Sequence, residues 1–169
     1  ANPRRQKRID RLPAILAEVR RELERRGIRR EARLVLVGEA SRGSAEAEGC
    51  LDAFRAEAVR CGVEAHVRLG GAAGDVRPFL AAADVLVSAS EREGLPIAVL
   101  EALWWGLPVA ATGAGGTSEA LAGAPAGALP VDAGPDELAR AILDIGPAPR
   151  RAAARRPPAH LEAFSSSRM

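Results

Sequence analysis

Two glutamates and the short turn between them are the residues of this sequence best suited to chemistry. Glu93 and Glu101 are separated by seven residues, and Gly94-Leu95-Pro96 follows Glu93 directly. The apolar run after this turn predicts a helix, and the amides at a helix N-terminus attract anions such as phosphate. Gly94 permits close approach of a ligand, and Pro96 suits a first helical position, where its N–H would be unused. The spacing predicts a phosphate-sized anion site with a carboxylate on either side.

The second glutamate lies in a helix that otherwise resembles protein core. Between Leu95 and Leu107 almost every side chain is apolar, and Glu101 carries the only charge. A helix that is apolar nearly all round is expected to be buried, and a buried carboxylate needs a partner. Two interpretations remain open here. Glu101 either forms a buried salt bridge with Arg68 or Arg92, or it accepts hydrogen bonds from the hydroxyl groups of a ligand.

Short apolar runs alternate with longer helical patterns along the chain, and this alternation predicts the elements that hold the glutamates. It is typical of an α/β fold, a Rossmann-like doubly wound parallel sheet flanked by helices. The predicted strands are 33–38, 66–71, 84–90, 107–112 and 127–131. In such sheets ligands bind at the carboxyl ends of the strands, where the turn after Glu93 would lie. We expect one domain over residues 1–146, followed by a tail rich in Pro, Ala, Arg and Ser over 147–169.

Composition argues against several functional classes. The net charge is only +2 and aromatic residues make up 3% of the chain, which does not favour nucleic-acid binding. No run of about 18 apolar residues predicts a membrane span, and no signal peptide is visible. Cys50 and Cys61 lie too far apart along one predicted helix for a disulfide, and free thiols are typical of a cytoplasmic protein. The two histidines, His66 and His160, have no neighbours that predict a metal site.

The segment Glu93–Ala102 matches the E-x7-E signature of retaining glycosyltransferases of the glycosyltransferase-4 type. Other segments resemble that family in the same order: LVLVGEA, HVRLGG, AADVLVSASEREGLP, EALWWGLPVAATGAGGTSEAL and FSSSRM. The resemblance extends from about Pro3 to Met169. It implies the C-terminal half of a GT-B fold, the half that binds the nucleotide-sugar donor.

The resemblance also implies roles for individual residues. Glu93 would lie beside the transferred sugar, and Glu101 would accept hydrogen bonds from the ribose. Two backbone segments would contact the rest of the donor. The diphosphate would be bound by the amides of Gly94, Leu95 and Pro96. The base would be bordered by Leu69, Gly70 and Gly71.

Lys7 is the only lysine in the chain, and it lies where the family carries a diphosphate-binding lysine. The family has Lys-Gly at this position, whereas this sequence has Lys7-Arg8. The family also has an arginine after its first strand; that strand is absent here and we expect it to be truncated, leaving Arg4 or Arg5 as substitutes. A bulky Trp105 replaces a small residue of the family, and we expect it to pack in the core.

These features predict the donor-binding domain of a hexosyltransferase-type enzyme, inactive on its own, that uses a nucleoside-diphosphate sugar and needs no metal or other cofactor. The acceptor site, and any contact with a membrane, would belong to an N-terminal domain outside this chain. One alternative is a catalytically silent module that binds sugar nucleotides. Another is a dinucleotide-dependent oxidoreductase, because GAGGTSEAL follows a strand and opens a helix, although Ser118 replaces its third glycine.

Overall fold

The computed structural model describes residues 3–39, 43–123 and 128–146. The predicted tail over 147–169 and its FSSSRM segment therefore lie outside the described residues. The helices are α1 (Leu12–Arg25), α2 (Ala45–Arg60), α3 (Arg77–Ala82), α4 (Ile97–Trp104), α5 (Gly116–Ala120) and α6 (Pro135–Ile145). The strands are β1 (Leu34–Val37), β2 (Val67–Gly71), β3 (Leu86–Ser88) and β4 (Val109–Ala111). Strands and helices alternate along the chain, and the prediction of an α/β fold with parallel strands is confirmed.

The strands form two parallel pairs rather than one continuous sheet. β1 pairs with β2, and β3 pairs with β4. In a doubly wound sheet the strand before the first helix lies between these two pairs. The residues described before α1 form only two 3-10 turns, Arg5–Lys7 and Ile9–Arg11, so no strand joins β1 to β3. The predicted fifth strand is reduced, in its described part, to a parallel bridge between Thr112 and Leu129.

Helix α1 carries the largest part of the core. Its buried residues recur every three or four positions, so they line one face of the helix. That face packs against α6 and β1, in a cluster that includes Leu36 and Leu138. The helix ends where Gly27 adopts a positive φ of 64° and the Ile28 amide donates to the Leu23 carbonyl, a Schellman motif.

A second core cluster supports the carboxyl ends of β3 and β4. It joins α4, β4 and α5 through buried apolar side chains, among them Val99, Leu103, Val109 and Leu121. The loop of residues 89–96 runs from the end of β3 to the start of α4, and it carries Glu93. This packing fixes both ends of that loop. Among the described helices, none is long and apolar enough to cross a membrane.

Candidate functional site

Lys7 and Glu93 form an ion pair at the carboxyl end of β3. The Lys7 ammonium donates to both carboxylate oxygens of Glu93, at 2.6 Å to Oε1 and 2.7 Å to Oε2. The Lys7 side chain is 26% exposed and that of Glu93 only 7%. The structure thus brings together two predicted site residues that are 86 positions apart in the sequence. Each charge is the counterion of the other, and the ammonium faces the more open side.

Hydroxyl groups near the ends of β3 and β4 form a second set of contacts that hold the Glu93 carboxylate. Ser90 Oγ donates to Glu93 Oε1 at 2.7 Å, and the Ser88 hydroxyl lies 3.2 Å from Ser90 Oγ. Thr112 Oγ1 donates to the Ser90 carbonyl at 2.6 Å, linking the ends of β3 and β4. Ser90 and Thr112 are both buried. No sequence motif points to these hydroxyls, and the only signal for them is their position at the ends of two adjacent predicted strands.

The turn that carries Lys7 is tied to the Glu93 loop at two further points. The Glu91 amide donates to the Gln6 carbonyl at 2.8 Å, and the Arg8 guanidinium pairs with both Asp10 and Glu91. The hydrogen bonds that Arg8 donates to Asp10 are the main cause that raises the Arg8 pKa, with a further contribution from Glu91. These contacts place the Lys7 ammonium against the loop.

Arg8 accounts for the departure from the Lys-Gly pattern. It has φ 45° and ψ 44°, and it is the only non-glycine residue with positive φ in the described ranges. This left-handed conformation is the one that favours glycine. The backbone turn after Lys7 is therefore kept without glycine, and the ion pairs of the Arg8 side chain help to offset the strain.

The glycine-rich turn before α5 supports the Glu93 loop from the other side. The Gly116 amide donates to the Glu93 carbonyl at 3.3 Å. A Cβ on Gly115 would overlap the Glu93 carbonyl oxygen, and one on Gly116 would overlap the Gly94 carbonyl oxygen. The two glycines thus serve close backbone packing.

The segment Gly94-Leu95-Pro96 leads into α4 and faces solvent at its first two residues. Pro96 is buried and occupies the N-cap position of α4, so the first helical position, predicted for Pro96, is taken by Ile97. The Ile97 amide donates back to the Leu95 carbonyl at 2.9 Å. Within the described chain, the Gly94 and Leu95 amides have no hydrogen-bond partner. They remain available to an anion at the helix N-terminus.

Glu101 is exposed, and the prediction that it is buried was wrong. Its side chain forms no hydrogen bond or ion pair within residues 3–39, 43–123 and 128–146, and it is paired with neither Arg68 nor Arg92. The reason is that α4 buries only one side, through residues such as Val99 and Ala102. Its opposite side, which includes Glu101, is covered by no described element.

The open side of α4 also shows that the prediction of Trp105 in the core, together with the adjacent Trp104, was wrong. Ile97 is 61% exposed, Trp104 48% and Trp105 38%, so neither indole lies in the core. Trp104 follows Glu101 by three residues and therefore lies on the same face, less than one turn away. The apolar composition of the helix predicted burial on all sides, whereas the fold supplies neighbours on one side only.

The predicted base-binding segment ends strand β2. Leu69, Gly70 and Gly71 are all exposed, and Gly71 adopts a positive φ of 66° as its carbonyl accepts a hydrogen bond from the Gly38 amide. The segment lies at the carboxyl end of the β1–β2 pair, while Lys7 and Glu93 lie at that of the β3–β4 pair. No hydrogen bond among the described residues links the two places. Across the described ranges, no group of three or more His, Cys, Asp or Glu side chains is arranged to hold a metal ion.

A domain in which parallel strands alternate with helices in this way is Rossmann-like. The family model described as "Glycosyl transferases group 1" matches residues 2–146. This chain therefore belongs to that glycosyltransferase family.

Solved structures agree with this assignment at the level of the fold. HepE of Anabaena, solved in complex with UDP, superposes with a TM-score of 0.66 at 24% identity, over 84% of this chain and 36% of its own. WaaG, a glycosyltransferase involved in lipopolysaccharide biosynthesis, gives 0.66 at 26% identity, over 83% and 34%. Sucrose-phosphate synthase from Thermosynechococcus elongatus gives 0.68 at 24% identity, over 86% and 34%.

This chain spans about a third of the length of these structures. Its fold is accordingly the Rossmann-like half of a GT-B fold. No curated protein matches the sequence.

Proposed function

We propose that this chain is the donor-binding domain of a retaining glycosyltransferase that uses a nucleoside-diphosphate sugar. The observation that carries the proposal is the Lys7–Glu93 ion pair beside the unpartnered amides of Gly94 and Leu95. Membership in the glycosyltransferase family supports it, as does the likeness to HepE, which has been solved with UDP and with UDP-glucose.

The diphosphate would bind between the lysine and the helix. The Lys7 ammonium is a compact charge with three donors, suited to phosphate oxygens, and the two open amides would donate to the same group. During transfer the bond from the anomeric carbon to the phosphate oxygen breaks, so negative charge develops on the diphosphate. Donors already aimed at that charge lower the barrier, and this is how Lys7 and the amides contribute. The proposal includes no metal and no other cofactor.

Two carboxylates would contact the remaining parts of the donor. Glu93 lies against Lys7 and would face the sugar next to the diphosphate. Glu101 would accept hydrogen bonds from the ribose hydroxyls. Because Glu101 is exposed and has no partner in the described chain, it can bind a ligand without breaking an existing interaction. Leu69, Gly70 and Gly71 are proposed to border the base.

We infer that the acceptor binds mainly to an N-terminal domain outside this chain. The chain alone would then bind the donor without turning it over, and any membrane contact would depend on that other domain. A cytoplasmic location is proposed from the free thiols of Cys50 and Cys61.

A thermal-shift panel tests the proposal. UDP, GDP, ADP, UDP-glucose and NAD are each added to the wild-type chain and to Glu101→Ala. A ligand at one hundred times its Kd stabilises the folded state by about 2.7 kcal/mol. We expect stabilisation by one nucleoside diphosphate and its sugar conjugate, and a smaller effect in Glu101→Ala. Stabilisation by NAD alone would instead favour a dinucleotide-binding domain, and equal shifts in both proteins would contradict the role of Glu101.

A further inference from the structure

The donor and the acceptor can be assigned in each hydrogen bond of the Ser88–Ser90–Glu93 chain. A carboxylate only accepts hydrogen bonds, so the 2.7 Å contact requires Ser90 to donate its proton to Glu93 Oε1. The Ser88 hydroxyl must then donate to Ser90, at 3.2 Å. The donor order therefore runs from Ser88 through Ser90 to Glu93. Ser90 is 2% exposed, and its carbonyl is held by Thr112, so the hydroxyl has little freedom to turn away.

Ser90 and Lys7 are the only described side chains that bond to the Glu93 carboxylate. They differ in what a bound donor would do to them. Lys7 is partly exposed and would be drawn to the diphosphate, whereas Ser90 is buried and remains in place. Once Lys7 leaves, a nearly buried carboxylate depends on its remaining hydrogen bond, because an unpartnered buried charge is strongly unfavourable.

We propose that Ser90 is the positioning residue of Glu93: its hydroxyl fixes Oε1 and keeps the carboxylate aimed at the donor sugar while Lys7 transfers to the diphosphate. This inference rests on the proposed function, and it adds a partner exchange to it. In the free protein the ion pair satisfies both charges. In the complex the diphosphate satisfies Lys7, while Ser90 and the sugar hydroxyls satisfy Glu93.

The first test compares the affinities of UDP and UDP-glucose in the wild-type chain, Ser90→Ala and Ser90→Thr. We expect the preference for UDP-glucose over UDP to fall by on the order of tenfold in Ser90→Ala, the size of one charge-assisted hydrogen bond. Ser90→Thr restores a hydroxyl and should recover the preference. Ser118→Ala is the matched control, because its exposed hydroxyl donates to the Gly113 carbonyl and contacts neither Glu93 nor Lys7. An unchanged preference in Ser90→Ala would overturn the proposal.

A second test needs no ligand. Lys7 is the only lysine, so peptide mapping after brief acylation separates its amine from the α-amine of the chain and reports how readily the Lys7 amine is freed from its ion pair to react. Loss of the Ser90 hydroxyl frees the carboxylate to rotate, so we expect Lys7 to react several times faster in Ser90→Ala and in Glu93→Gln, and at the wild-type rate in Ser118→Ala. Faster labelling in Glu93→Gln with a wild-type rate in Ser90→Ala would overturn the positioning role. If wild-type protein bound no sugar nucleotide, the proposed function and the role of Ser90 toward the donor sugar would both fail, whereas the labelling rates alone would show whether Ser90 holds Glu93 in the free protein.

Discussion

Replacing the single lysine gives the sharpest prediction about stability. In Lys7→Met the side chain keeps most of its length, and the Glu93 carboxylate loses two hydrogen bonds of 2.6 and 2.7 Å. Glu93 then remains 93% covered in the folded protein, with Ser90 as its only side-chain partner among the described residues. We therefore expect Lys7→Met to be less stable than the wild-type protein even without ligand.

The expected size follows from the burial of the pair. Breaking a fully buried ion pair costs about 3–5 kcal/mol, whereas an exposed pair contributes about 0–1 kcal/mol. Lys7 is 26% exposed and Ser90 remains, so the free energy of unfolding should fall by an intermediate amount, about 2 kcal/mol. At about 2–4 °C per kcal/mol for a chain of this size, Tm should fall by about 4–8 °C.

Urea unfolding, followed by circular dichroism, measures this loss. Arg55→Met is the matched control, because Arg55 pairs with Asp52 at 2.9 Å with both side chains more than half exposed. It should change the free energy of unfolding by less than about 0.5 kcal/mol. If Lys7→Met were no more destabilising than Arg55→Met, the ion pair would not have the importance that its burial indicates.

Three further predictions concern other parts of the chain. Gly115→Ala should destabilise the protein, because its φ is 52° and a Cβ would overlap a carbonyl oxygen, whereas Gly49→Ala at an open position of α2 should stabilise it by about 0.5–1 kcal/mol. Stabilisation by Gly115→Ala, or destabilisation by Gly49→Ala, in urea unfolding would contradict this. Donor binding should change the tryptophan fluorescence, and Trp104→Phe should remove most of the change; an unaltered change would place the ligand away from this face of α4. Burial is the main cause that raises the pKa of both Cys50 and Cys61, and a raised pKa lowers the fraction of each thiol present as thiolate. At pH 8, iodoacetamide should therefore alkylate both cysteines more slowly in the native than in the urea-unfolded chain, and the native rate should increase as the pH rises. Equal native and unfolded rates would refute the raised pKa values.

Sequence patterns predicted the helices well where the hydrophobic periodicity agreed with the residues that cap or end a helix. The apolar spacing from Leu12 to Leu23 predicts one buried face of a helix that ends near Gly27, and the structure confirms both the face and the end. The pattern from Ser44 to Arg60 likewise predicts a helix, and Ser44 caps α2 by accepting a hydrogen bond from the Ala47 amide at 3.2 Å. These features depend on neighbours within a few residues.

Features that depend on distant neighbours were not predictable in the same way. Glu101 was expected in the core because the residues around it are apolar, but exposure depends on which elements cover α4, and the helix sequence does not contain that information. The contact between Lys7 and Glu93 joins positions 86 residues apart, and only a shared location at the strand ends could be expected. Likewise Gly115 is required by the backbone of the Glu93 loop, a neighbour that the turn sequence does not reveal.

The most direct test of the donor site is calorimetric titration of UDP, GDP and ADP into the wild-type chain, Lys7→Met and Arg55→Met. We predict that one of the three nucleotides binds to the wild-type chain, that Lys7→Met weakens this affinity by about tenfold or more, and that Arg55→Met leaves it unchanged. Equal affinity in all three proteins, or no binding of any of these nucleotides, would contradict the assignment of Lys7 and the α4 N-terminus as the diphosphate site.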